Sequence, residues 1–423
     1  MDERTLRDLL ARATAAEPPI GPIAGNALAA GIRLRRHRRI QGSAASVAAV
    51  AVVATAIPLL NGALGHTAPP VAKPTSPAPR ALYVVNQNPG GPGTVTPISL
   101  ATDTPGKPIP VGRQPLYIAV TPDGKTAYVS SIDTSQPVTP INTATNKPGP
   151  AIPVGDGPEG IAITPNGSTV YVSNFDGGTV TPINVATGRP GRAIKAFKFP
   201  RQIAISPDSS TAYVANTQIQ TVTPINTATN RPGTPIFVDG HPGPMMFTPD
   251  GTTLYVVVNE AGDNHVTPVD TATGTTGPAI PLPSNSEAIA ITPDGHTAYV
   301  TTTERTSLQG LVIPISTATN TAGPAIHVGQ FPGPIAITPN GATGYVVNLS
   351  SNTVTPIATA TNKPGPPITV GTGPAAIQIT PDGATAYVAN TNSNTVTPIS
   401  TATNTAGPPI TVGNGPRALV LKP

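Results

Sequence analysis

One short motif recurs along most of the chain and constrains its fold more than any other feature. Its last copy reads TPDGATAYVAN, from Thr380 to Asn390, and variants begin at Thr121, Thr164, Ser206, Thr248, Thr292 and Thr338. The tyrosine of each Tyr-Val pair recurs every 42 to 46 residues, at Tyr83, Tyr128, Tyr171, Tyr213, Tyr255, Tyr299, Tyr345 and Tyr387. A period in the low forties with several short β-branched runs per unit is typical of a propeller blade.

Each unit divides into four short strands. In the unit that begins at Ile377, strand A is IQIT, strand B is TAYVAN, strand C is TVTPIS and strand D is PPITV. The turn Pro381-Asp382-Gly383 suits a tight connection between A and B. No unit contains a ten-residue run with helical periodicity, which excludes a solenoid of helix pairs. The sequence therefore predicts an all-β protein built from four-stranded blades.

The two ends of the repeat region complete one unit between them. A strand B, ALYVVNQ from Ala81, has no strand A before it, and a strand A within RALVLKP, from Arg417, has no strand B after it. Pairing these strands closes a ring and removes the free sheet edges that promote aggregation. Seven complete units and this shared unit predict an eight-bladed propeller; a seven-bladed ring with the terminal strands packed elsewhere is the alternative.

Strand C carries a proline in every unit, although an interior strand seldom tolerates the missing N–H donor. These prolines are Pro97, Pro140, Pro182, Pro224, Pro268, Pro314, Pro356 and Pro398. Strand D also begins with proline in most units. We expect strands C and D to pair only over their later residues, so that both prolines face an open outer edge.

The complete unit, ITPDGATAYVANTNSNTVTPISTATNTAGPPITVGNGP, resembles the YVTN family of β-propeller repeats, found in surface-layer proteins and in periplasmic YncE-type proteins. The resemblance covers residues 81–423. It departs from the family at strand C, where the family usually has valine instead of proline. The resemblance implies a location outside the cytoplasm and a binding or surface role, and it provides no catalytic residues to transfer.

The first 80 residues lack the repeat. Residues 1–42 end in an arginine-rich stretch that contains RLRRHRR, and residues 43–64 are apolar and rich in Ala and Val. The apolar segment is long enough for a transmembrane helix across a hydrocarbon core ~30 Å thick. The arginines before it predict a cytoplasmic N-terminus. Residues 65–80 are rich in proline and predict a semi-rigid linker.

This organisation predicts a single-pass cell-membrane protein whose propeller, residues 81–423, lies outside the cytoplasm. A cleaved signal peptide, with a small-x-small site at Ala63-Leu64-Gly65, is the alternative. Residues 1–65 hold eight Arg and four acids, whereas residues 66–423 hold sixteen residues of each sign. A neutral body argues against nucleic-acid binding, which requires surplus cations. The chain has no cysteine, which excludes disulfides and thiolate chemistry.

Candidate sites are expected where one unit departs from the others. The stretch GRPGRAIKAFKFPRQ, which begins at Gly188, replaces a mostly neutral segment. Its five cations predict a docking surface for an acidic partner or polymer: Arg189, Arg192, Lys195, Lys198 and Arg201. A solvated strand face without a partner is the alternative.

Two acidic sets predict further binding sites. In NEAGDNH, Glu260, Asp263 and His265 are close in sequence, with His241 on the preceding connection, and these residue types suit a divalent cation. No other cofactor is expected. The second set precedes or begins strands A and is expected near the channel mouth, where it suits cation or sugar binding: Asp156, Glu159, Asp239 and Glu287. For the first set, loop residues that simply face solvent are the alternative.

We therefore expect a non-catalytic module that binds a cell-surface protein or a wall polymer. The alternative is a channel-mouth hydrolase or lyase of a small molecule such as a lactone, with His241 or His265 as the residues to test. The chain contains no G-x-S-x-G, H-E-x-x-H or phosphate-loop motif. A third possibility is that the arginine-rich N-terminal segment signals, with the propeller as its receptor.

Overall fold

A computed structural model describes residues 81–133, 135–195, 197–260, 262–304 and 307–423. The described residues form 38 strands in eight antiparallel sheets, which are the blades. They contain no helix long and apolar enough to cross a membrane. The predicted cytoplasmic segment, transmembrane helix and linker lie outside the described residues.

The strands of blades 1 to 4 are numbered along the chain. Blade 1 contains β1 (Ala81–Asn86), β2 (Thr94–Ser99), β3 (Thr104–Pro105), β4 (Ile109–Pro110) and the last strand of the chain, β38 (Pro416–Lys422). Blade 2 contains β5 (Pro115–Val120), β6 (Thr126–Ser131), β7 (Val138–Asn142) and β8 (Lys147–Pro148). Blade 3 contains β9 (Pro158–Ile163), β10 (Thr169–Asn174), β11 (Thr179–Asn184), β12 (Arg189–Pro190) and β13 (Ile194–Lys195). Blade 4 contains β14 (Pro200–Ile205), β15 (Thr211–Asn216), β16 (Thr221–Asn226), β17 (Arg231–Pro232) and β18 (Ile236–Phe237).

Blades 5 to 8 repeat this order. Blade 5 contains β19 (His241–Phe247), β20 (Thr253–Asn259), β21 (His265–Asp270) and β22 (Ile280–Pro281). Blade 6 contains β23 (Ser286–Ile291), β24 (Thr297–Thr303), β25 (Gly310–Ser316), β26 (Thr321–Ala322) and β27 (Ile326–Val328). Blade 7 contains β28 (Pro332–Ile337), β29 (Thr343–Asn348), β30 (Thr353–Ala358), β31 (Lys363–Pro364) and β32 (Ile368–Thr369). Blade 8 contains β33 (Pro374–Ile379), β34 (Thr385–Asn390), β35 (Thr395–Ser400), β36 (Thr405–Ala406) and β37 (Ile410–Thr411).

The ring closes as the sequence predicts. Strand β38 is strand A of blade 1 and pairs with β1 from Ala81 opposite Lys422 to Asn86 opposite Pro416. Each strand A lies beside the strands A of both neighbouring blades, and β38 contacts both β5 and β33. The eight-bladed prediction is confirmed, and the seven-bladed alternative is wrong.

The hydrophobic core lies between neighbouring blades. One cluster combines Tyr83 and Val85 of blade 1 with Ile118 and Val129 of blade 2, and similar clusters follow around the ring. Strand B is buried on both faces because it lies in the middle of its sheet and each face packs against another blade. This position explains the β-branched and tyrosine-rich pattern of strand B.

A tyrosine hydrogen bond, to asparagine in five cases and to aspartate in one, links six blades to the blade that follows. The tyrosine hydroxyl of strand B donates to a side-chain oxygen in the next C–D turn, as from Tyr171 to Asn230 Oδ1 over 2.7 Å. The acceptor residue has a left-handed backbone, which asparagine and aspartate tolerate better than most residues. The six pairs are Tyr83–Asn146, Tyr171–Asn230, Tyr255–Asn320, Tyr299–Asn362, Tyr345–Asn404 and Tyr387–Asp103.

The prolines of strand C require a correction. Strand D pairs with strand C at both ends rather than only over the later residues: in blade 1, Ile98 pairs with Pro105 and Val95 pairs with Ile109. Strand D of blade 1 is interrupted between β3 and β4, and this interruption lies opposite Pro97. The Pro97 carbonyl accepts the N–H of Gly106, within the interruption, over 2.7 Å. In a strand the N–H and C=O of one residue point to the same side. The missing N–H of the proline therefore faces the interruption and costs no ladder hydrogen bond.

Candidate functional site

One position near the start of strand A, the innermost strand, holds a charged residue in four of the eight blades. The relevant position follows the first proline of strand A, or the serine that replaces it in blade 6. From blade 1 to blade 8, this position holds Arg417, Leu116, Glu159, Arg201, Gly243, Glu287, Gly333 and Ala375. The charges of blades 1, 3 and 4 lie on one arc of the ring, and Glu287 of blade 6 lies apart from them.

The arc from blade 1 to blade 4 carries a compact charged cluster. Glu159 Oε1 lies 3.0 Å from Arg201 Nε, and both side chains are largely buried. Burial raises the pKa of Tyr117 to about 12; Glu159 adds to the rise, whereas Arg417 and Arg201 oppose it. Burial also raises the pKa of Glu159, although Arg201 and Arg417 oppose the change. The cluster thus holds one carboxylate between two guanidinium groups, which stabilise its charged form.

Two phenylalanines accompany this cluster. Phe175 lies in the B–C loop of blade 3, and Phe199 lies in the connection into blade 4. The centroids of their rings are 4.7 Å apart. The guanidinium carbon of Arg201 lies 5.3 Å from the centre of the Phe175 ring, within the range of a cation–π interaction. Arg201 is therefore held at the channel mouth by a carboxylate and by an aromatic face.

The remaining four cations of the predicted docking surface lie elsewhere. Arg189, Arg192 and Lys195 are exposed on the outer strand D of blade 3, and exposed Lys198 follows on the connection to blade 4. Because strand A is innermost and strand D outermost, Arg201 does not belong to the same surface. The structure thus keeps four of the five predicted residues together and separates the fifth.

The outer strands of the whole ring carry charge of one sign. The segments that contain them, residues 104–110, 147–153, 189–195, 231–237, 275–281, 321–328, 363–369 and 405–411, hold no Asp or Glu. They hold seven exposed cations: Lys107, Lys147, Arg189, Arg192, Lys195, Arg231 and Lys363. Three of the seven lie on blade 3. We call these seven residues the cationic edge.

The residues predicted to bind a divalent cation have different surroundings. His265 is buried, with Nε2 3.2 Å from the Val238 carbonyl oxygen and Nδ1 3.1 Å from the Asp263 carbonyl oxygen. Glu260 Oε2 lies 3.7 Å from His241 Nε2. The described residues contain no group of three or more His, Asp or Glu side chains that would hold a metal ion. The divalent-cation site stays a prediction from the sequence.

The second acidic set is also dispersed. Asp156 and Asp239 lie on the connections into blades 3 and 5, whereas Glu159 and Glu287 occupy the same position of β9 and β23. Two further inner strands, β14 and β19, separate these two glutamates around the ring. Glu159 pairs with Arg201. Asp156 and Asp239 are exposed, whereas Glu287 is partly buried and lines a pocket.

Glu287 lines a pocket of about 260 Å³ on blade 6. The other lining residues come from two connections, the end of β24 and the B–C loop that follows it: Ser284, Asn285, Thr303, Glu304, Leu308 and Phe331. Burial raises the pKa of Glu287 to about 7. The pocket was not predicted from the sequence, although Glu287 itself was.

The fold and these sites define an eight-bladed β-propeller with a charged channel mouth and a cationic edge. No protein-family model matches the chain, and no curated protein matches its sequence. Among solved structures, the chain is similar to hydrazine synthase from Kuenenia stuttgartiensis, at 25% identity over 68% of this chain and 96% of that chain, with a TM-score of 0.58. These similarities concern the fold, and the activities named belong to the matched proteins.

Two further solved structures are similar at 15% identity. Dihydro-heme d1 dehydrogenase NirN, in complex with DHE, matches over 81% of this chain and 75% of that chain, with a TM-score of 0.69. A functionally unknown protein from Desulfotomaculum acetoxidans matches over 81% of this chain and 98% of that chain, with a TM-score of 0.57. At this identity the likeness shows the fold alone.

Proposed function

We propose that the chain is a non-catalytic propeller of the YVTN type, held at the outer face of the cell membrane, and that its cationic edge binds an anionic wall polymer. The observation that carries this proposal is the separation of charge within a body that is nearly neutral. Acidic residues occupy the turns and the channel mouth, whereas the outer strands hold cations only. An anionic chain that follows the outside of the ring would meet no repulsive carboxylate on these strands.

The spacing on blade 3 suits a polymer better than a single small anion. Arg189 and Lys195 lie opposite Asn184 and Thr179, at the two ends of β11. These ends are five residues apart, a span of roughly 17 Å at about 3.3 Å per residue. Arg192 lies between them and is also exposed. Guanidinium groups form paired hydrogen bonds with phosphate, and separated cations along one edge match charges that recur along a chain.

Protection of the sheet edge accounts for only part of this pattern. A lysine or arginine on an outer strand prevents pairing with another sheet, and one cation per strand serves that purpose. Blades 1, 2, 4 and 7 each carry one such cation, at Lys107, Lys147, Arg231 and Lys363. The outer strands of blades 5, 6 and 8 carry no Lys or Arg, whereas blade 3 carries three. Edge protection therefore does not account for the three cations of blade 3, which favour recognition of a ligand.

The membrane location rests on the N-terminal sequence. The apolar segment 43–64 follows a run of arginines, which favours a cytoplasmic N-terminus and a propeller on the other side of the membrane. The linker at 65–80 would hold the ring away from the bilayer and near the wall. The repeat unit, with its YVTN resemblance, supports the same location.

The experiment measures binding of the full-length chain, in a neutral detergent, to poly(glycerol phosphate) and to uncharged dextran. We expect binding to the polyphosphate only, with affinity that falls steeply as salt rises from 50 to 300 mM, because salt screens exposed charges. Equal binding to dextran, or affinity that is insensitive to salt, would contradict the proposal.

A further inference from the structure

The Glu287 pocket, defined by the seven residues named above, differs from every other channel-mouth position. Glu159 occupies the same place in blade 3 and is paired with Arg201 at 3.0 Å. No described residue supplies a hydrogen bond or an opposite charge to Glu287, and burial is the one cause of its raised pKa. A carboxylate that is partly buried without a partner is costly, and a cationic ligand would remove that cost.

The start of β23 holds Glu287 in a fixed position. Ser286 replaces the proline found in the other blades, and its N–H donates to Asn259 Oδ1 over 2.9 Å. Asn259 Nδ2 donates in turn to the Ser286 carbonyl oxygen, also over 2.9 Å. A proline at position 286 would lack the N–H for this reciprocal pair. The exchange anchors the backbone beside Glu287 to blade 5 before any ligand binds.

Two exposed apolar side chains complete the pocket. Leu308 and Phe331 are 46% and 41% exposed, and only two other large apolar side chains among the described residues are exposed to this extent. Their backbones are left-handed, with φ of 57° and 50°. Phe331 shares this conformation with Gln114 and Phe199, which precede strand A in blades 2 and 4, so the conformation belongs to the repeat. What distinguishes this pocket is exposed apolar surface beside a partly buried carboxylate, a combination typical of ligand sites.

From these contacts we propose that the Glu287 pocket binds a small organic cation, an ammonium group attached to an apolar body. Glu287 would pair with the ammonium group, and the Phe331 ring would provide an aromatic face of the kind that attracts such cations. Leu308 would contact the apolar body. The described lining holds two carboxylates, of Glu287 and Glu304, and no cation.

The size and chemistry of the pocket restrict the ligand. A volume of about 260 Å³ is smaller than the ~300–1,000 Å³ usual for drug-sized ligands, which points to a molecule with few heavy atoms. A hydrated inorganic cation would gain little from Leu308 and Phe331. Hard cations prefer six or more oxygen ligands. The pocket offers two carboxylates, and the described residues contain no group of three or more His, Asp or Glu side chains that would hold a metal ion.

The test is calorimetric titration of the full-length chain with choline and with its uncharged isostere, 3,3-dimethylbutan-1-ol. We expect saturable binding of choline and binding at least tenfold weaker for the alcohol. Glu287→Gln should weaken choline binding at least tenfold, and Phe331→Leu, which keeps the apolar bulk, should weaken it several-fold. Asp382→Asn is the matched control, because Asn already occupies the equivalent turn position at Asn166 and Asn340, and should bind choline normally.

Each opposite result would overturn the proposal. These results are equal affinity for choline and the alcohol, unchanged affinity in folded Glu287→Gln, and calcium binding in the absence of choline binding. The melting temperature of each variant shows whether it has folded. Polymer binding by the cationic edge, measured on the same variants, is expected to be unchanged, so the two proposals fail independently.

Discussion

The hydroxyl of Tyr387 in blade 8 donates a hydrogen bond to Oδ1 of Asp103 in blade 1 over 2.7 Å, although the two residues are 284 positions apart in the chain. This contact closes the ring of tyrosine pairs between blades. Among the six described pairs, it alone has a carboxylate as the acceptor. Hydrogen bonds to charged acceptors are stronger than those to neutral amides. The junction between the two ends of the propeller therefore carries a strengthened version of the repeated contact.

Loss of this hydroxyl should destabilise the ring. We expect Tyr387→Phe to lower the free energy of unfolding by about 1–2 kcal/mol, because it removes a partly buried hydrogen bond to a charged group. Tyr128→Phe is the matched control. Its partner position in blade 3 is Gly188, and the Tyr128 hydroxyl has no hydrogen bond to a described residue. Urea unfolding that shows equal losses for the two variants would contradict the role of this contact.

Acid should destabilise the protein through its A–B turns. Hydrogen bonds from the Thr or Ser hydroxyl two residues earlier are the main cause that lowers the pKa of four turn aspartates: Asp123, Asp208, Asp294 and Asp382. Because each folded-state pKa is below the unfolded value, the stabilisation is present above pH ~4 and is lost as pH falls through the folded pKa.

Replacement of these four aspartates by asparagine should reduce the loss of unfolding free energy at low pH. Asparagine keeps the acceptor oxygen, as Asn166 Oδ1 does when it accepts the Thr164 hydroxyl over 2.7 Å, but it does not titrate. We expect unfolding free energies of the quadruple variant at pH 7 and pH 3 to differ less than those of the unmodified chain. An unchanged difference would show that other groups govern acid unfolding.

The Glu287 carboxyl should have the opposite effect on the pH dependence of stability. Burial raises its pKa from 4.5 to about 7 in the folded protein. Between these values the folded state binds more protons than the unfolded state, so the contribution of Glu287 to stability falls as pH rises from about 4.5 to 7. Glu287→Gln should remove this fall, measured as unfolding free energy at pH 4.5, 6 and 7.5. A pH dependence that is identical in the variant would mean that the folded carboxyl titrates normally.

The period of the sequence was sufficient to predict the blades, their number and the closure of the ring, because each unit repeats the same strand pattern. The channel-mouth cluster was not predicted. Tyr117 and Arg417 meet only because β38 and β5 become neighbours when the ring closes. Aligning the eight strands A would have placed Arg417, Glu159 and Arg201 in one column, and that signal was available in the sequence.

The grouping of Arg201 with Lys198 shows why proximity in sequence was misleading. Lys195 lies on the outermost strand of blade 3, Arg201 lies on the innermost strand of blade 4, and Lys198 lies on the connection between them. Six residues of chain thus separate the outer edge from the channel mouth. The Glu287 pocket was missed for another reason: Phe331 and Leu308 lie on a connection and a B–C loop, and their positions in the sequence do not show that they line one pocket with Glu287.

The central claim, that the cationic edge binds an anionic polymer, is tested most directly by two double variants with the same change in net charge. Arg192→Gln with Lys195→Gln removes two cations from the edge of blade 3, and Arg113→Gln with Lys125→Gln removes two exposed cations from elsewhere on the ring. We predict that the first variant binds poly(glycerol phosphate) at least tenfold more weakly than the unmodified chain at 100 mM salt, while the second changes affinity less than twofold. Equal weakening by both variants, or none by either, would contradict the claim.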